Sequence, residues 1–171
     1  MRDEKSYNGK LMKIGKSNED IILTWLKTKA HEILDFREFR LAQRMDVDFG
    51  IETIDGEIVL AEIKSDKWIK EDGNLLFECN RINHFVKEKW FYLGWGWRSP
   101  AQKLIIRNPD SNEIFVFNFL ELKKFVGEYI SEVGTKLQTR IIETDKQKTT
   151  FVYLIPMNRL KNLYTKFKEL T

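Results

Sequence analysis

Two alternating stretches joined by a three-residue turn place the strongest constraint on this chain. Residues 46–53 put Val47, Phe49 and Ile51 on one face and Asp46, Asp48 and Gly50 on the other, and Ile54-Asp55-Gly56 follows as a hairpin signal. Residues 57–65 return as the partner strand. There Ile58, Leu60, Glu62 and Lys64 share one face and Val59, Ala61 and Ile63 the other, because side chains alternate along a strand. A glutamate and a lysine thus close an otherwise apolar strand face, where charge is costly unless it is paired or binds something. The turn sets Asp48 opposite Glu62, with Asp46 on the same face a further strand step, about 7 Å, away.

The rest of the chain reads as one unit. From Ser17 the sequence SNEDIILTWLKTKAHEIL opens with a capping residue, carries Glu19 and Asp20 in its first turn and repeats apolar residues at helical spacing, predicting a first helix to Leu34. Residues 36–39 are expected as an edge strand before a short segment at 40–44. A third strand is predicted over 74–79, a polar helical or irregular crossover over 81–89, two strands at 103–107 and 113–117, and a helix over 118–131. The tail is predicted to form a hairpin, 139–143 with 149–155, and a basic closing helix over 157–170. The pattern specifies an α/β fold, a mixed central sheet flanked by helices. It is read as a single domain over 1–171, with a core over about 15–132 and a C-terminal extension of hairpin and helix over about 133–171.

The hairpin residues suit a metal-dependent hydrolase. Mg²⁺ prefers carboxylate and water oxygens and commonly takes one or two protein carboxylates together with substrate phosphate, with Mn²⁺ able to substitute. Asp48 and Glu62 supply two. Lys64 points the same way, where an ammonium can orient water or hold charge developing on phosphorus. The bland alternative is a solvated salt bridge at a sheet end, worth at most about 1 kcal/mol.

An aspartate followed across a turn by Glu62-Ile63-Lys64 resembles the PD-(D/E)XK nuclease superfamily, the restriction-endonuclease-like fold. Gly15-Lys16-Ser17-Asn18-Glu19 before the helix is similar to the corresponding element of archaeal Holliday-junction resolvases. The resemblance covers roughly 15–119 and lacks the proline of the pattern, so the motif itself does not choose between Asp46 and Asp48. It implies a Mg²⁺-dependent DNA endonuclease, resolvase-like or restriction-like. Asp48, Glu62, Lys64 and Glu19 would be its catalytic set, and Asp48, Glu62, Glu19 and Asp46 the residues about its metal. Glu19 equally suits a first-turn acid offsetting the helix dipole. By analogy of fold the resemblance also implies shape recognition or a homodimer, and leaves phage, mobile-element, repair and restriction roles open.

Lys16, Arg81, Trp95, Trp97 and Arg98 are the candidate nucleic-acid contacts. The run 89–98 combines aromatics, glycines and cations, and an exposed aromatic can stack on an unpaired base, although packing in a core is the commoner use. Glu78, at the end of the third strand, reads as either a phosphate-side or a plain strand-end charge. His31 and His84 lack ligand-spaced companions, and Cys79 is the one cysteine, which excludes an internal disulfide and a cysteine-based zinc site. With 29 Lys+Arg against 26 Asp+Glu, bulk charge adds little. No apolar run suits a signal peptide or a membrane span, so a cytoplasmic protein is expected. Two readings stand beside the DNA nuclease: a non-catalytic nucleic-acid or partner-binding module on the same fold, and an RNA-processing nuclease.

Overall fold

Sheet A, six strands in the spatial order 32–35, 49–52, 58–65, 103–108, 113–118 and 164–168, is covered on one face by a helix and on the other by a second sheet and a longer helix. The computed structural model describes residues 17–83, 90–145 and 148–168. Helix α1 spans residues 17–26. Then come β1 (Glu32–Asp35), α2 (Arg40–Arg44), β2 (Phe49–Glu52), β3 (Ile58–Ser65), β4 (Asn74–Asn83), β5 (Trp90–Leu93) and α3 (Trp95–Arg98). The chain continues through β6 (Lys103–Asn108), β7 (Glu113–Asn118), α4 (Phe119–Val133), β8 (Thr139–Asp145), β9 (Lys148–Pro156) and β10 (Tyr164–Lys168).

Alternation in β3 decides how the layers meet. Ala61 and Ile63 face α1, packing with Ile22, Trp25 and Leu26, while Leu60 faces the opposite cluster of Leu75, Phe77, Trp95 and Phe117. Strand β3 pairs antiparallel with β2 and parallel with β6, which makes the sheet mixed. The expected α/β architecture, a mixed central sheet flanked by helices, is present. Sheet B, in the order β5-β4-β9-β8, contains the expected tail hairpin and shares the larger core with sheet A through Leu75, Phe77 and Ile155.

Four predicted elements differ. Helix α1 stops at Leu26 rather than Leu34, because residues 32–35 pair with β2 and set Ile33 opposite Ile51. The edge strand thus lies four residues before its predicted place, and 36–39 turns into α2. The closing helix is absent: a 3-10 turn at Met157–Arg159 leads to β10, paired antiparallel with β7. Met157, Leu160 and Tyr164 belong to the larger core while Phe167 meets Trp25 on the other side of the sheet, a division that an odd residue spacing achieves on a strand. Of the predicted crossover, 81–83 extends β4 and 84–89, with His84, lies outside the described residues. No helix among the described residues is long and apolar enough to cross a membrane.

Candidate active site at the end of the central hairpin

The turn adopts the predicted register. Glu52 pairs with Ile58 and Phe49 with Ala61, so continuing the ladder sets Asp48 against Glu62. The Asp48 N–H donates to the Ala61 carbonyl at 2.9 Å, and its Oδ2 accepts from the Ile63 N–H at 2.7 Å. Gly56, at φ 77°, supplies the left-handed residue of the turn.

Glu62 is 1% exposed and ion-paired through Oε1 to the Nζ of Lys64. No hydrogen-bond partner among the described residues reaches its buried Oε2. Burial pushes the Glu62 carboxyl up to about 8, with the negative charge of Asp48 adding to the rise and Lys64 opposing it. Asp48 is raised mainly by its own burial, against the pull of Lys64 and the Ile63 N–H. Glu19 is raised by burial and then by Asp48. For Lys64 burial works against the charge, but Glu62 and Asp48 outweigh it and the ammonium is held above its usual value. Three carboxyls are thus made harder to ionise, in each case first by burial and then by a neighbouring carboxylate, with Lys64 and, at Glu19, Arg37 opposing the rise.

The buried Asp48 and Glu62 carboxyls, with an acceptor left unpartnered, fit a divalent ion. Among the described residues no three His, Cys, Asp or Glu side chains gather as a metal-binding group, so the four carboxylates expected about a metal, Asp48, Glu62, Glu19 and Asp46, do not come together as one set; Mg²⁺ commonly takes only one or two protein carboxylates. The unpartnered Oε2 of Glu62, on the residue set opposite Asp48, marks where a cation would satisfy a buried acceptor.

Asp46 does not continue the strand. Its φ of 52° is left-handed, β2 starts three residues later, and alternation therefore does not carry from Asp48 back to Asp46. Its carboxylate is held by Arg98, whose Nε donates to Oδ2 at 2.7 Å, and its carbonyl accepts from the Ser99 hydroxyl at 2.6 Å. Glu19 stands on α1 with Arg37 3.7 Å away, and Arg37 is itself fixed by Asp35 at 2.6 Å and Asp20 at 2.7 Å. Arg37 gave no signal in the sequence, since its partners come from two separate elements.

The aromatic run is structural where it is described. Trp95 is 7% exposed, with Phe77 and Phe119 at ring-centroid distances of 5.8 and 5.9 Å, so its ring is not available for base stacking. Trp97 lies edge-on to Phe77 at 4.9 Å. The glycines between them serve contact rather than flexibility: a Cβ on Gly94 would meet the Glu78 carbonyl at 2.5 Å, and one on Gly96 would meet the Phe77 ring at 2.5 Å. Arg98 is committed to Asp46, and Lys166 of the expected basic helix to Glu71 and Glu113 at 3.0 and 3.3 Å. Lys16 lies outside the described residues.

Arg81 does face the site region. Strand β4 carries a bulge between Glu78 and Asn80, so Glu78 pairs with Val152 and Arg81 with Thr150, two positions on one face of β9. Residues three apart would otherwise point oppositely. Here they form an ion pair at 3.0 Å beside Lys64, lining the same cavity. Asp66 lines it too. It could have been found in the sequence, since Glu62, Lys64 and Asp66 recur at two-residue spacing.

No protein-family model and no curated protein matches this chain. The fold is similar to the solved structure of a bacterial homing endonuclease, I-Ssp6803I, over 64% of this chain and 70% of that one, with a TM-score of 0.47 and 13% identity. At that distance the likeness assigns neither family nor activity.

Proposed function

We propose that this protein is a metal-dependent DNA endonuclease of the restriction-endonuclease-like class, with Asp48 and Glu62 as ligands of Mg²⁺ or Mn²⁺. The observation that carries the reading is the buried Glu62 carboxylate, unpartnered at Oε2, set against Asp48 and tied to Lys64. A divalent ion held there would supply Lewis acidity toward phosphate oxygens.

The chain's own residues have separable tasks. Asp48 is oriented by the Ile63 N–H and Glu62 by Lys64, so both carboxylates are preorganised. Lys64 is held in its charged form and is therefore a donor, not a base: it would orient the attacking water or stabilise the phosphorane-like charge. Glu19 faces Asp48 electrostatically and would support the ion from the helix side. Asp46, held by Arg98, would act through water at most. Arg81, at the cavity beside Lys64, suits a flanking phosphate. A homodimer would present two such sites to two strands, which light scattering with and without duplex DNA would reveal.

The test is incubation with supercoiled, linear, branched and single-stranded DNA in Mg²⁺ or Mn²⁺ with an EDTA control. Cleavage that disappears in Glu62→Ala and Lys64→Ala supports the reading; no cleavage of any form, or full cleavage by both variants, defeats it. DNA binding indifferent to EDTA without cleavage would instead identify a non-catalytic binding module, and cleavage confined to RNA a processing nuclease.

A further inference from the structure

Beside Lys64, between sheets A and B, lies a cavity of about 280 Å³. Its polar lining is unbalanced in a specific way. Glu78 is 6% exposed; its Oε2 pairs with Arg81, while Oε1 is buried with no partner among the described residues. Asp66 accepts from the Trp68 N–H through Oδ1 at 2.8 Å, and its Oδ2 is likewise buried and unpartnered. Ionised carboxylates only accept, so an occupant that satisfies this cavity must bring N–H or O–H donors. Arg81 already pairs with Glu78, and Lys64, paired with Glu62, lines the same space, so two cations stand at the cavity before anything enters and a neutral donor meets less repulsion there than another cation. The remaining walls include Leu76, Ile106 and Val152, apolar surface suited to a flat ring.

We propose that this cavity receives an unpaired, amino-bearing nucleobase, cytosine, adenine or guanine, belonging to the nucleotide next to the scissile phosphate. The proposal rests on the endonuclease reading and names its substrate class. The Glu78 or Asp66 side chain turns so that Oε1 or Oδ2, closed off from water in the free protein, accepts from the exocyclic amine, while the ring lies against the apolar walls and the attached phosphate falls between Lys64 and Arg81. Thymine has no amine, and its single N–H is flanked by two carbonyls that would face the carboxylates. A base inside a duplex has its donors engaged and its faces stacked, so one that enters a concavity between two sheets must be unpaired or extruded.

The experiment uses one duplex carrying a single extrahelical nucleotide, cytosine, adenine, guanine, thymine or an abasic site. Affinity is read by fluorescence anisotropy in Ca²⁺, and cleavage of the same duplexes is read separately in Mg²⁺. The expected result is that wild type binds the amine-bearing bulges about tenfold more tightly than the thymine or abasic ones, a hydrogen bond to a charged acceptor being worth at least that. The preference should disappear in the Asp66→Asn/Glu78→Gln double variant, whose amides present donors to the amine while the glutamine oxygen can still accept from Arg81. Equal binding of all five duplexes by wild type overturns the proposal, and this comparison needs no variant to fold. A preference that survives in the double variant also overturns it. Cleavage without base preference leaves the nuclease reading standing and removes only the pocket; base preference without cleavage keeps the pocket and removes the nuclease.

Discussion

Glu62→Gln should make the metal-free protein more stable while abolishing metal-dependent activity. The Glu62 carboxyl is raised from 4.5 to about 8 on folding. A carboxyl raised in this way stabilises the fold fully below its unfolded value, and that contribution is lost as pH rises through the folded one. The rise of about 3.5 pH units corresponds to a ceiling of about 5 kcal/mol lost between pH 4.5 and 8. Because Glu62 titrates jointly with Lys64 and Asp48, we expect at least about 2 kcal/mol of it at residue 62, or roughly 4–8 °C in Tm for a domain of this size. Lys64 does not blur the window, since its raised value keeps it charged throughout. Glutamine retains a carbonyl that can accept from Lys64, and Asp48 still balances the ammonium.

The assay is thermal or urea unfolding in EDTA from pH 5 to 8.5. Wild type should lose stability steadily over that range and Glu62→Gln much less, so that the two agree near pH 5 and diverge by pH 8.5. Mg²⁺ should then restore wild type, increasingly as pH rises, because the ion replaces protons, and should do little for the variant. A glutamine variant with the wild-type pH slope, or one less stable at pH 8.5, would refute the reasoning from burial to strain to metal.

The two aspartates should separate. Asp48→Asn is expected to lower cleavage by about a hundredfold or more, as loss of a preorganised electrostatic group does, whereas Asp46→Asn should cost much less activity and show its effect in melting through the weakened Arg98 contact; single-turnover rates of both variants check this. Lys64→Met should abolish cleavage yet retain Mn²⁺ binding by calorimetry, since the lysine is not a ligand; loss of Mn²⁺ binding in a folded variant would contradict that role. Gly96→Ala should destabilise the protein by about 1–3 kcal/mol through overpacking against Phe77, measured by urea unfolding. Wild-type stability there would mean that α3 can move off β4 freely.

The central hairpin was legible because its determinants are local. Alternation, a Gly turn and a three-residue loop fix the register between β2 and β3 without help from the rest of the chain, so Asp48 opposite Glu62 followed from spacing. The same is true of α4, capped by Asn118 and ended at Gly134. Where apolar spacing fitted two structures, tertiary contacts decided. Residues 157–170 have helical periodicity, but β7 offers an edge whose unpaired backbone groups β10 satisfies, with Tyr164 on one face and Phe167 on the other. Residues 32–35 are drawn from the helix for the same reason, by the edge of β2.

The candidate site divides along the same line. Which residue types stand at the end of the hairpin, and that Glu62 and Lys64 share a face, was determined by sequence alone, since a two-residue period is a property of any strand. Four things needed the folded chain: the left-handed turn that takes Asp46 out of the strand, Arg37 beside Glu19, the core around Trp95, and the bulge that places Glu78 and Arg81 beside Lys64. Each depends on residues distant in sequence meeting across layers. Burial depends on it most, for only when sheet B and α3 close over β3 does Glu62 become a carboxylate with an oxygen that has no partner.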